Sequence, residues 1–151
     1  MKKSLFIISI LIFILQSCKG TPEYMDDQKL CVMLAEMTNR DQNLRAELAS
    51  GMSSERKDSI WKYQKHEDLN NTKLLIKIIE ARGWPNKDSL GCKEFGPPML
   101  IFRHAPKEYF NEIKFLIDKE FKEGRMNGLD HAFIDDHLNG RPGMNFKITE
   151  E

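Results

Sequence analysis

The chain has 151 residues, with 23 basic and 23 acidic side chains and a formal net charge of zero. This balance lacks the basic footprint of a nucleic-acid-binding protein, so we expect no nucleic acid partner. The length suits one compact domain rather than two.

The N-terminus has the pattern of a secretory signal. Two lysines precede an unbroken apolar stretch over residues 5–15, and small or polar residues follow it. These 11 residues are too few for a membrane-spanning helix, which needs about 20, so the stretch favours a cleaved signal peptide. Residues 15–18, LQSC, resemble the lipobox of bacterial lipoproteins, in which the cysteine is acylated and becomes the first residue. The alternatives are a plain signal peptide with an incidental cysteine or a short membrane anchor.

The predicted organisation follows from this signal. We expect a signal peptide over 1–17, a lipidated tether over 18–23, a helical domain over 24–142 and a loose tail over 143–151. Acyl chains on Cys18, such as palmitate, would hold the protein to a membrane of the bacterial cell envelope, on its periplasmic or cell-surface side. The membrane is therefore one predicted partner.

Two further cysteines remain, Cys31 and Cys92. In an oxidising envelope they could form one disulfide, but two separate buried thiols are equally compatible with the sequence. They lack the spacing of a zinc site or a redox CxxC pair.

The domain is predicted to be all-α, a small bundle of four to five helices, because its apolar residues recur at helical spacing and no segment alternates with period two. Thr21 is expected to cap the first helix, and Gly83 to end the second. Gly96-Pro97-Pro98 should prevent regular helix at the start of the third. The predicted helices cover about residues 22–49, 54–82, 93–105, 106–124 and 127–138, and residues 85–91 are predicted as a loop.

Asp41 is the first polar residue on an apolar face. It falls near the centre of the stripe that Leu34, Met37 and Leu44 form in the first helix, and Arg45 lies one turn on. A carboxylate facing a core is costly unless it is paired, so Arg45 is its natural partner. The alternatives are a structural salt bridge or a helix that ends before Asp41.

Two other helices repeat this anomaly. Asn71 lies inside the apolar arc of the second helix, with Asp68 on its flank. In the last helix Asp136 shares the side of Leu129, Ala132 and Phe133, and His137 lies at its edge. Three helices that each direct an acid or an amide inward suggest one common polar cluster.

The apolar run MLIF, residues 99–102, is typical of a buried helix and ends in Arg103 and His104. These two residues are therefore predicted at the rim of the core. A lone histidine there is commonly structural, but a nearby Asp41 or Asp136 would fix the tautomer of His104 and favour a functional role.

These residues resemble a pattern found in an uncharacterised bacterial helical family. The similar segments are DQNLR at 41–45, the pair Asp68 and Asn71, GWP at 83–85, RHA at 103–105 and AFIDDH at 132–137. In that family the pattern reads DQxxR, D..N, GWP, QH, DR and YGTQ. The resemblance covers residues 30–142 and implies a helical domain of unknown function, without a reaction.

The chain departs from this pattern at three places. Arg103 stands where glutamine is usual, His137 where the arginine of DR is usual, and Gly143 where another glutamine is usual. The tail has nothing like YGTQ. If the tail completes the family's polar site, the site is altered here.

Two functions compete. The favoured one is a binding domain that holds an unknown ligand or protein partner through a polar site. Its predicted residues are Asp41, Gln42, Arg45, Asp68, Asn71, His104, Asp136 and His137.

The alternative is a hydrolase-like enzyme, in which His104 acts as general base, Asp41 or Asp136 orients it and Arg45 stabilises developing negative charge. A metal variant would use His104, His137 and Asp136 as ligands. The sequence contains no HExxH, GxSxG, CxxC or phosphate-loop motif, so we expect neither a metal nor a cofactor.

Overall fold

The computed structural model describes residues 21–49 and 51–141, and the regular structure within them is helical. Two short 3-10 turns, Glu23–Met25 and Lys107–Tyr109, accompany the α-helices. The helices are α1 (Asp27–Ala49), α2 (Ser54–Arg82), α3 (Lys87–Leu90), α4 (Pro98–Phe102), α5 (Phe110–Lys122) and α6 (Gly128–Leu138). The all-α prediction is confirmed. The predicted signal peptide, Cys18 and the tail after residue 142 lie outside the described residues.

Helices α1 and α2 form a long antiparallel hairpin. Arg82 pairs with Asp27 at one end of it, and Arg56 pairs with Glu47 at the other. The facing apolar side chains are fully buried, which removes the apolar stripe of each helix from water. This hairpin is the frame on which the shorter helices pack.

The predicted bounds are confirmed for the second helix, which ends at Gly83, and nearly so for the last, which begins after the cap Asn127. The predicted start of the first helix is wrong. A 3-10 turn precedes an extended residue, Asp26, whose carboxylate accepts a hydrogen bond from the N–H of Lys29 at 2.9 Å. Asp26 therefore caps α1, and Thr21 does not.

Three local predictions also need correction. The predicted loop at 85–91 contains the single turn α3, because the side chain of Asn86 accepts hydrogen bonds from the N–H groups of Asp88 and Ser89. A 3-10 turn delays the start of α5 to Phe110. Leu129, predicted to face inward, is 53% exposed, and Ile134 is the buried residue of α6 instead.

The short helix α4 lies at the centre of the domain and contacts α1, α2 and α6. Ile101 and Phe102 are buried in it, which confirms the interpretation of the apolar run as a core element. The approach to α4 is tight, since a Cβ on Gly96 would lie 2.1 Å from the carbonyl oxygen of Leu34. Only glycine fits there.

The turn after α2 is held by residues that are distant in the sequence. Gly83 has φ of +80°, and a Cβ on it would lie 2.8 Å from Nε of Arg125. The next residue, Trp84, donates its backbone N–H to the buried carboxylate of Glu120 at 2.8 Å, and Arg125 binds the same carboxylate. The ends of α2 and α5 are thereby joined.

Cys31 and Cys92 form a disulfide, with their Cα atoms 5.5 Å apart. This settles the two alternatives that the sequence left open and ties the segment after α3 to α1. None of the helices described combines the length and the apolar character needed to cross a membrane.

Candidate functional site

Asp41 is the centre of the candidate site. Its side chain is 1% exposed, yet it is surrounded by donors. Oδ1 accepts hydrogen bonds from Nε of Arg45 and Nε2 of Gln64, both at 3.0 Å, and Oδ2 accepts one from Nε2 of Gln42 at 2.6 Å. Nδ1 of His104 lies 3.2 Å from Oδ2. The cost of burying the Asp41 carboxylate, which the sequence predicted, is thus offset by these polar contacts.

A second carboxylate shares these donors. Nη2 of Arg45 lies 2.6 Å from Oδ1 of Asp68, and Nε2 of Gln64 donates to the same oxygen at 2.7 Å. Arg45 and Gln64 therefore bridge Asp41 on α1 to Asp68 on α2. Because charge-assisted bonds of this kind are strong and directional, the cluster sets the register of the hairpin at this level.

The pKa values of these two carboxyl groups are shifted in opposite directions. Burial alone would raise the pKa of Asp41, but its contacts with His104 and Arg45 outweigh burial and lower the pKa to about 2. For Asp68, burial outweighs the contributions of Gln64 and Arg45, and the pKa is raised. Environments that separate the pKa values of two acids are common where proton transfer occurs.

His104 reaches the cluster from the turn after α4. Its Nδ1 is buried and has no well-aligned hydrogen-bond partner among the residues described, so its contact with Asp41 is chiefly electrostatic. A carboxylate at this distance favours the tautomer with the proton on Nδ1, which leaves the lone pair on Nε2. Because Nδ1 is buried, the 17% exposure of the His104 side chain comes from its other atoms.

An open cleft of about 380 Å³ lies beside His104. Its lining residues come from α2 and from the segment that leads into α5, and they are Lys65, Asp68, Leu69, His104, Pro106 and Glu108. The polar cluster thus meets the surface at two of its members, Asp68 and His104. Neither a hydroxyl nor a thiol side chain occurs among these lining residues.

Asn71 is buried, as its position in the apolar arc predicted. Its exposed fraction is 7%, and its Nδ2 has no hydrogen-bond partner within the described ranges. It lies one turn beyond Asp68 on α2, and the bonds that join Asp41, Arg45 and Asp68 do not include it.

Asp136 and His137 lie on the other side of the 103–105 turn. The Asp136 carboxylate is 3.9 Å from Nη1 of Arg103. Nε2 of His137 donates to the carbonyl oxygen of Ala105 at 3.2 Å, and burial lowers the pKa of this histidine. Both residues therefore anchor α6 to the turn that carries His104.

Gln64 was missed by the sequence reasoning, although it is fully buried and bonds both carboxylates. Helical spacing could have revealed it, since it lies four residues before Asp68 and seven before Asn71 on one face. Glu120 was also missed, although helical spacing could have revealed it too. It follows Ile113, Leu116 and Ile117 at the spacing of the apolar face of α5.

No group of three or more histidine, cysteine, aspartate or glutamate side chains within the described residues could hold a metal ion. The predicted metal variant had required His104, His137 and Asp136. In the structure Nε2 of His137 is turned to the Ala105 carbonyl, and Asp136 lies against Arg103.

Comparison of the chain with models of protein families, with curated proteins and with solved structures found no match. The resemblance described from the motifs therefore stays a prediction. The case for a function depends on the cluster of Asp41, Arg45, Gln64, Asp68 and His104 and on the cleft beside it.

Proposed function

We propose that this chain is a lipid-anchored protein of the bacterial cell envelope whose helical domain binds a small polar ligand in the cleft beside His104. One observation carries the proposal. A buried carboxylate, Asp41, lies against Nδ1 of a histidine whose ring lines an open cleft. His104 thus joins a buried carboxylate to an open cleft of about 380 Å³.

The cleft suits a ligand with hydrogen-bonding groups. His104 offers a nitrogen of defined orientation, and Asp68 offers a carboxylate whose Oδ1 is held in place by Arg45 and Gln64. Side chains held by neighbours lose little freedom when a ligand binds, so their contribution to affinity is larger. Leu69 and Pro106 add apolar contact.

The predicted anchor and compartment belong to the same proposal. Disulfides persist in oxidising compartments and are rare in the cytosol, so the Cys31–Cys92 bond supports an envelope location. We expect the Cys18→Ala variant of the full chain to leave the membrane fraction and to lose labelling by palmitate. Unchanged labelling would contradict the lipid attachment.

NMR of the histidine rings tests the cleft. The full chain, purified in detergent with labelled histidine, is titrated with phosphate, acetate, glucose and trialanine. We expect at least one of these compounds to move the Cε1–Hε1 signal of His104 and to leave that of the exposed His66 in place. The His104→Gln variant assigns the signal. If none of the four compounds moves it, the proposed cleft function is wrong.

Hydrolysis is a second candidate, because the Asp41–His104 pair also has the geometry of an oriented general base. In this alternative Nε2 of His104 removes a proton from the attacking water, Asp41 holds the ring, and the protonated His104 then gives that proton to the leaving group. Arg45 binds both carboxylates, so in this alternative it positions Asp41 and Asp68.

Model substrates separate the two candidates. A hydrolase would release nitrophenol from nitrophenyl acetate or nitrophenyl phosphate, and His104→Gln would lower that rate at least a hundredfold. The His66→Gln variant is the matched control. If ligands move the His104 signal while the wild type and His104→Gln show the same background rate, binding is supported and catalysis is not.

A further inference from the structure

The cleft at His104 continues along α2. A second cleft of about 560 Å³ is lined by Asp58, Trp61, Lys62 and Lys65, and Lys65 also lines the first. These residues recur every three or four positions, so they form one face of the helix. Lys65 borders both clefts, and the two adjoining clefts are together called the groove.

The charges in the groove are ordered. Asp68 and Glu108 form an acidic end beside His104, and Lys65 and Lys62 follow along the helix. Lys62, Lys65 and Glu108 form no ion pair within the described part of the chain, so their charges are available to a ligand. Trp61, 45% exposed, lies beside the lysines as an apolar surface.

We propose that this groove binds a short peptide with free termini, its ammonium group between Asp68 and Glu108 and its carboxylate at Lys62 and Lys65. This ligand class deepens the proposed binding function and depends on it. An ammonium group suits the acidic end, a carboxylate suits the lysines, and a side chain of the peptide packs on Trp61.

The distance between the two ends of the groove limits the length of the peptide. The rise of an α-helix puts Lys62 roughly 9 Å along the axis from Asp68. An extended tripeptide spans roughly 10 Å between its termini. Asp58 lies one turn beyond Lys62 and would repel the carboxylate of a longer peptide. Two or three residues therefore span the distance from Asp68 to Lys62, whereas a single amino acid bound at Asp68 would reach only Lys65.

Calorimetric and NMR titrations of the full chain in detergent test this inference with four probes, which are trialanine, N-acetyl-trialanine, trialanine amide and alanine. We expect trialanine to bind, and each of the other three to bind at least about fivefold more weakly, since each lacks one charged contact.

Variants of the groove test which side chains bind the ammonium group and which bind the carboxylate of the peptide. In Glu108→Gln, the preference for trialanine over its N-acetyl form should fall, because Asp68 alone remains to bind the ammonium group. In the double variant Lys62→Gln, Lys65→Gln, trialanine and its amide should bind within twofold of each other. Glu112→Gln and Lys73→Gln, exposed charges elsewhere, are the matched controls and should keep the wild-type preferences.

Two results would overturn the inference. N-acetyl-trialanine binding as tightly as trialanine would mean that the lysines hold an anion alone, as for an acidic polysaccharide. Movement of the His104 signal by phosphate or glucose but not by trialanine would also refute the peptide and leave the proposed cleft function intact. If no probe moves that signal, both fail.

Discussion

The carboxylate of Asp41 lies 3.2 Å from Nδ1 of His104, although 63 residues separate them in the chain. Asp41 belongs to the long hairpin, whereas His104 belongs to the turn after the central helix α4. Their contact joins the frame of the domain to the edge of the cleft. Stability measurements on Asp41 therefore report on the same interactions that orient the histidine.

Asp41→Asn should destabilise the fold. The substitution removes the buried charge that compensates Arg45 and that lies against Nδ1 of His104, and breaking such a network typically costs about 3–5 kcal/mol. Urea unfolding followed by circular dichroism at pH 7 measures it. Asp58→Asn, at an exposed position, is the control and should change stability by less than about 0.5 kcal/mol. Equal stability of both variants would mean that the cluster contributes no net stability.

The effect of Asp41→Asn should depend on pH. Because the pKa of Asp41 is lowered from 3.8 to about 2 in the folded state, its stabilisation is fully present above pH 4 to 5 and is lost as the pH falls to 2. The difference in unfolding free energy between wild type and variant should therefore shrink by about 2 kcal/mol over that range. The raised pKa of Asp68 has the opposite effect, since it stabilises the folded state as the pH falls, and it does so in both the wild type and the variant. A difference that stays constant with pH would contradict the lowered pKa.

Gly83→Ala should weaken the turn after α2. Gly83 has φ of +80° and ψ of −175°, a conformation nearly restricted to glycine, and a Cβ would meet Arg125. The expected loss is about 1–3 kcal/mol from the backbone alone. Gly51→Ala is the matched control, since nothing lies within 4 Å of a Cβ there and its φ is not in the left-handed region. Thermal unfolding that affects both variants equally would refute this reading of the turn.

Loss of the Cys31–Cys92 bond should lower stability by about 4 kcal/mol, because it closes a loop with a sequence separation of 61 residues. We expect dithiothreitol to shift the urea midpoint of the wild type and to leave that of the double variant Cys31→Ala, Cys92→Ala unchanged. A wild-type midpoint insensitive to full reduction would show that the bond contributes little.

The helical class and several helix ends follow from the amino-acid sequence alone. Glycine or asparagine marks the ends of the second and last helices, so local physics decides these ends. The inward position of Asp41 and its pairing with Arg45 also follow from spacing, since both residues lie on one helix. These are short-range relationships.

Which distant residues come into contact depends on the way the helices pack. Helical spacing places Asp68, His104 and Asp136 near the interior, but the packing of α4 and α6 puts His104 against Asp41 and Asp136 against Arg103. The same holds for Cys31 with Cys92 and for the N–H of Trp84 with Glu120. Periodicity gives the angle of a side chain around its own helix and not the rotation and crossing of one helix relative to another, which depend on how all the side chains pack together.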